Sequence, residues 1–213
     1  MAEISIVIPS LKQEDELKDQ VKSIRQTAIN DCQILTICKK QSAAKNRNEC
    51  IERSIFDLII MLDDDIGNFF PGWDELLIQP FRSNPIKYSI VAARLIDKEG
   101  NRSPQLGDCD RWNKSFDYVR AVHTLKTGLN VVGSSCISFY KDDLRFDELY
   151  LGATYEDADF CMQMNKQCPE KEIIINNQCK LIHNNEGKGR SIGSNNYSIH
   201  NKKYFAKKWG IEV

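Results

Sequence analysis

Three adjacent aspartates, Asp63, Asp64 and Asp65, end the apolar run Leu58–Leu62 in the stretch DLIIMLDDDIGNFFPGW. Adjacent carboxylates repel, so a positive partner is expected beside them. Hard carboxylate oxygens at a strand end suit Mg²⁺ or Mn²⁺, ions that bridge protein carboxylates to phosphates. A solvated acidic turn or a helix cap would read the same way. A second cluster lies in YEDAD, with Glu156, Asp157 and Asp159. Acids favour helix N-termini through the dipole. A carboxylate there would equally serve as a general base for a bound hydroxyl.

Other residues have chemistry to offer. His183 closes the run KLIH; it is either a structural histidine or the imidazole that completes a carboxylate metal site. Lys188 and Arg190 lie among glycines in NNEGKGRSIGSNN. Such a loop is either ordinary surface or a basic cover for a diphosphate leaving group. Arg47, in AAKNRNEC, is either a solvated helix residue or a phosphate ligand. Trp73, Trp112 and Phe116 offer rings for stacking on a sugar, although aromatic residues more often fill a core.

Regular elements must carry these groups. EISIVIPS reads as a buried strand closed by Pro9 and Ser10. Leu17, Val21, Ile24 and Ala28 then recur at helical spacing. CQILTICKK is a second strand, SAAKNRNECIERS a helix capped by Ser42, and DLIIML a third strand. This β-α-β-α-β order predicts an α/β fold with a mostly parallel, doubly wound sheet and helices on both faces. Ligands of such sheets bind beyond the strands' carboxyl ends, where Asp63–Asp65 fall. Further on, PGWDELLIQPF predicts a helix with Pro71 in its first turn. YSIVAARLID and NVVGSSCISFY predict strands, and residues 102–126 read as irregular. YEDADFCMQMNKQ is a helix, EIIINNQCKLIH a strand or strand pair, and YSIHNKKYFAKKWG a helix ended by Gly210.

Composition narrows the classes. Twenty-nine basic residues balance 30 acidic ones, for a net charge of −1, which argues against a nucleic-acid partner. The apolar runs fall well short of the ~20 residues a membrane helix needs. The start, MAEISIVIPSL, has an acid where a secretory leader carries basic residues. None of the eight cysteines forms a C-x-x-C pair, and several sit in apolar runs. They read as reduced core residues, which predicts a cytoplasmic protein. The basic segment NKKYFAKKW either packs on the core or touches an anionic membrane from outside.

The order of these motifs resembles glycosyltransferase family 2, of the GT-A fold. ISIVIPSL is similar to that family's first strand, and AAKNRNECIERSIFDLIIMLDDD to its A-x-x-R-N…DxD segment. GSSCISFYKDDLRFDELYLGATYEDADFCMQM is similar to its acceptor region with the E-D-x-D motif. LIH before a glycine-rich stretch and the tail YFAKKWG also match, so the resemblance spans nearly the whole chain. Three positions depart from the family pattern. ICKKQSAAK has no aspartate to read a uracil, Cys50 replaces a glycine, and Gln163 replaces a basic residue.

The resemblance implies one GT-A domain over residues 1–213, with a nucleotide-binding half (1–100) and an acceptor-binding half (101–213). It implies an inverting, metal-dependent hexosyltransferase that moves a sugar from a nucleotide-diphosphate donor, UDP-sugar favoured, to a saccharide or other hydroxyl acceptor. Asp157 would be the base and Glu156 would orient donor or acceptor. Asp65, Asp63 and His183 would hold Mn²⁺ or Mg²⁺. Pro9, Ser10, Arg47, Asp63, Asp64, Lys188 and Arg190 would contact the donor. The alternatives are a nucleotide-sugar-binding module without transfer activity, a sugar nucleotidyltransferase, and a glycoside hydrolase with paired carboxylates. The nucleotidyltransferase would place a glycine-rich loop after the first strand, where this chain has PSLKQEDEL.

Overall fold

The computed structural model describes residues 3–101, 118–120, 131–184 and 194–210. Strand β1 (Glu3–Ser10) is followed by a 3-10 turn (Glu14–Leu17) and helix α1 (Lys18–Thr27). Strand β2 (Asp31–Cys38), helix α2 (Ala43–Arg53) and strand β3 (Leu58–Leu62) complete the expected β-α-β-α-β unit. β2 and β3 pair in parallel on either side of β1. The two crossovers therefore run in opposite directions. Right-handed connections then put α1 and α2 on opposite faces of the sheet. Ser42 caps α2 as expected, its hydroxyl accepting from the Lys45 amide at 3.3 Å.

Beyond β3 the sheet departs from the expected parallel majority. Strand β5 (Tyr88–Ile96) is followed by β6 (Tyr118–Arg120), β7 (Cys136–Tyr140) and the long β8 (Glu172–His183). The two-residue strand β4 (Ile66–Gly67) precedes helix α3 (Trp73–Ser83). The strand order is β2-β1-β3-β7-β5-β8-β4, with β6 also on β8. Three pairings are parallel and four antiparallel, so the described sheet is mixed. Strand β7 accounts for two of the four, inserting antiparallel to both β3 and β5, and β4 and β6 on β8 account for the others. A short apolar run has no direction written into it, so periodicity did not show this reversal.

Helices α4 (Glu156–Gln167) and α5 (Ser194–Trp209) follow the β7 and β8 regions. α1 meets α3 through Trp73 Nε1, which donates to Thr27 Oγ1 at 3.2 Å. α2 meets α4 through Arg47. Both faces of the central strands are buried: Ile4, Ile6, Val7, Ile8 and all five residues of β3. α3 starts two residues after Pro71, behind Gly72 at φ +82°, so Pro71 is not in its first turn. Gly210 (φ +63°) ends α5 as expected. EIIINNQCKLIH is one strand, with its register against β5 shifted near Asn176–Lys180. A strand, β6, also falls within residues read as irregular.

Seven cysteines, Cys32, Cys38, Cys50, Cys136, Cys161, Cys168 and Cys179, are free thiols. Burial pushes the Cys50 and Cys161 thiols up to about 12, so they act as inert core groups. Among the described residues, no helix is long and apolar enough to cross a membrane.

Candidate active site

The acidic turn sits where β3 leaves the sheet. Ile66 N donates to Asp63 O at 3.3 Å, closing a tight turn, and Asp63 N donates to Ser135 O at 2.8 Å. Gln20 of α1 fixes the turn from the side, its Nε2 donating to Asp63 O and Ile66 O, each at 3.0 Å. The three carboxylates fan out to three different partners. Asp63 Oδ1 accepts from Arg47 Nη2 at 3.2 Å. Asp64 Oδ2 accepts from Ser10 Oγ, with Lys12 Nζ 3.5 Å from its Oδ1. Asp65 Oδ1 lies 3.0 Å from His183 Nε2. The positive partner expected beside the acids is thus supplied largely by the protein. Burial still lifts the Asp64 carboxyl above the usual range, against the opposing pull of Ser10 and Lys12.

His183 comes from the far end of the chain. β4 pairs antiparallel with β8, and Ile66 stands opposite His183. Asn184 extends the link, its N and Nδ2 donating to Asp65 O at 3.0 and 3.1 Å. Ligand atoms of Asp63, Asp65 and His183 all lie within 4.8 Å of one another. Two carboxylates and an imidazole form a donor set suited to Mn²⁺ or Mg²⁺ with open positions for water or phosphate oxygen. The residues present therefore fit the ion that the sequence led us to expect.

Arg47 joins the two acidic clusters. Its Nη1 donates to Glu156 Oε1 at 2.6 Å while Nη2 holds Asp63. The guanidinium lies 5.4 Å from the centroid of the Phe146 ring, which itself stacks on Phe160 at 4.2 Å. Burial alone would discourage its charge, but Asp63, Glu156 and Asp157 hold the proton more firmly than in water. Arg47 is 6% exposed, with both terminal nitrogens bonded to carboxylates. Glu156 is equally committed, its Oε2 accepting from the Thr154 amide at 2.5 Å.

Asp157 is the half-buried acid of the pair. Ala158 N donates to its Oδ1 at 2.7 Å, and its other oxygen has no hydrogen-bond partner among the described residues. Desolvation, aided by the charge of Glu156, lifts its carboxyl to about 6. A base with that value is ionised at neutral pH yet holds a proton far better than an ordinary aspartate. Asp159 is wholly buried and structural. It accepts from Tyr150 OH at 3.2 Å, Gln163 Nε2 at 2.7 Å, Trp209 Nε1 at 2.7 Å and Lys208 Nζ at 2.9 Å.

Ser10 is buried, and its hydroxyl both donates to Asp64 and accepts from Lys12 N. Pro9 stays half-exposed beside Ile37 at the parallel strand ends. Trp73 is fully buried against Phe69 and belongs to the core, not to a sugar platform. Lys188, Arg190, Trp112 and Phe116 lie outside the described residues.

The sequence reading passed over several residues that build this site. Asn46 Nδ2 ties the ends of β1 and β2, donating to Ser10 O at 3.2 Å and Lys39 O at 2.9 Å. Asn48 exchanges bonds with Phe146, donating to its O at 2.9 Å and accepting from its N at 2.8 Å. The run K-N-R-N did carry a signal: two asparagines flank an arginine inside a helix, against their propensity, which suggests that their side chains are needed elsewhere. Gln20 and Lys12 left no comparable trace.

These elements define the α/β fold of GT-A type. The crystal structure of GalNAc-T7 with UDP, GalNAc and Mn²⁺ superposes with a TM-score of 0.57 at 9% identity. The match covers 86% of this chain and 44% of that one, so this chain spans less than half of its neighbour's length. Neither a family model nor a curated protein matches the sequence.

Proposed function

We propose that this chain is an inverting glycosyltransferase of the family 2 type, acting as one domain. It transfers a sugar from a nucleotide diphosphate donor, a UDP-sugar in the favoured case, to an acceptor hydroxyl. The observation that carries this reading is the Arg47 bridge. It brings the acids after β3 and the acids that open α4 into one constellation, with hydrogen bonds of 3.2 and 2.6 Å. A fold shared with a structure that holds UDP and Mn²⁺ supports the donor class.

In this reading Asp157 accepts the acceptor's hydroxyl proton as that oxygen attacks the anomeric carbon from the face opposite the leaving group. The bond to the nucleotide diphosphate breaks, and the configuration at the carbon inverts. Glu156 and Arg47 keep Asp157 and Asp63 in fixed relation, so little reorganisation accompanies the reaction. Asp63, Asp65 and His183 would hold a divalent ion, which would offset negative charge on the departing diphosphate. Asp64, bonded to Ser10 and Lys12, is left for the donor-binding role.

The test is a thermal-shift screen of nucleotide diphosphate sugars with and without Mn²⁺, followed by turnover assays on the hits. Ligands that bind only the folded state raise its melting temperature. Manganese-dependent binding with donor hydrolysis or transfer supports the proposal. Binding without turnover would instead favour a sugar-nucleotide-binding module, and conversion to nucleoside triphosphate and sugar 1-phosphate when pyrophosphate is added would favour a nucleotidyltransferase.

A further inference from the structure

The backbone leading into α4 is contorted. Gly152, Thr154 and Tyr155 have φ of +62°, +132° and +67°. Non-glycine residues at positive φ persist only where their surroundings hold them. Much of that hold comes from Asn201 of α5, which is fully buried. Its Nδ2 donates to Leu151 O at 2.9 Å, Thr154 O at 3.0 Å and Thr154 Oγ1 at 3.1 Å. Its Oδ1 accepts from Leu151 N at 3.0 Å. Ala43 N supports the same loop, donating to Gly152 O at 2.8 Å. At the other end of α5, Lys208 and Trp209 hold Asp159. One helix therefore grips the chain at residues 154 and 159, on both sides of Asp157.

We infer that Asn201 is a positioning residue for the transfer reaction. By holding the strained 151–155 segment, it sets the direction in which α4 presents the Asp157 carboxylate. The inference rests on Asp157 being the base. Among the described residues, the Asn201 side chain bonds to loop residues 151 and 154 and not to Asp157, so its removal acts through the loop. A misplacement of the base by about 1 Å costs on the order of 10²-fold in rate.

The experiment compares wild type with Asn201→Asp, which keeps the acceptor for Leu151 N and loses the amide donors. Three quantities are read: hydrogen exchange of amides 150–160, donor affinity with Mn²⁺ by calorimetry, and kcat. The expected result is faster exchange across 152–158, donor affinity close to wild type, and kcat lower by roughly 10²-fold. Thr154→Val removes one of the bonds without touching Asn201. It should move exchange and kcat in the same direction by a smaller factor, which keeps the test decisive if the first variant does not fold. Wild-type exchange in both variants would overturn the hold that Asn201 has on the loop. Donor affinity falling in step with kcat would overturn the positioning role in favour of general unfolding. If wild type transfers no sugar while exchange still accelerates in the variants, the base assignment fails and the catalytic half of the inference fails with it.

Discussion

The guanidinium of Arg47 is held by Glu156 at 2.6 Å, across 109 residues of chain. This contact joins α2 to α4 and turns two separate acidic motifs into one site.

Breaking that contact from one side should be costly. Arg47→Met strands Glu156, which is 3% exposed, beside Asp63 with no cation between them. Removing one partner of a buried pair costs about 3–5 kcal/mol. Urea unfolding should show a loss of that order, and the double variant Arg47→Met/Glu156→Gln should recover a large part of it. Equal losses in the single and double variants would contradict the pairing.

Asp157→Asn should keep donor binding and lose roughly 10²–10⁴-fold in transfer, the usual contribution of a general base. The same substitution should stabilise the fold at neutral pH. The folded-state value of about 6 lies above that of an unfolded aspartate. Its contribution to stability is therefore fully present below the unfolded value and lost as pH rises through about 6. At pH 7 the ionised group opposes folding, and with its partial solvent access the asparagine should gain on the order of 1 kcal/mol. Thermal melts at pH 3.5, pH 5 and pH 7.5 would reveal this, the gain growing as pH rises through that range and being largest at the highest pH.

The same value sets a pH profile for turnover. The base works only when ionised, so kcat should fall as pH drops below about 6 and level off above it. A flat profile from pH 4.5 to 8 would remove Asp157 from the role.

Chelation should separate binding from folding. Each of the three adjacent acids has a protein partner: Arg47 for Asp63, Ser10 for Asp64 and His183 for Asp65. The fold should therefore keep its melting temperature in EDTA when no nucleotide is present. Nucleotide affinity should lose its Mn²⁺ enhancement in Asp65→Asn and His183→Ala, as measured by calorimetry. A large melting shift on chelation alone would mean that the ion, and not the protein cations, relieves the repulsion among the acids.

Much of this architecture is legible in the sequence. Leu58–Leu62 followed by three acids marked a strand end with ligand chemistry. Ser42 marked a helix start, and the leucine and isoleucine spacing marked the helix after β1. These features are local, written in neighbouring residues whose propensities and periodicities act over one or two turns. The acid pair Glu156 and Asp157 was legible as chemistry from the residues, whereas the division into base and orienting group came only from the family resemblance. The fold buries Glu156 in an ion pair and leaves Asp157 half-open, a difference set by partners far away in the chain.

The sequence by itself determined the acids, their places at a strand end and a helix start, and the α/β alternation that carries them. Tertiary structure decided which group faces which. β4 is only two residues long, too short for any periodicity, yet its pairing with β8 brings His183 to Asp65. β7 runs antiparallel because of where its neighbours lie, not because of its own residues. Arg47 reads from sequence as either a solvated helix residue or a phosphate ligand, and the fold sets Glu156 and Asp63 on either side of it. Side-chain chemistry is local, whereas partner choice depends on desolvation and distance across the folded chain, and only the packed structure sets those.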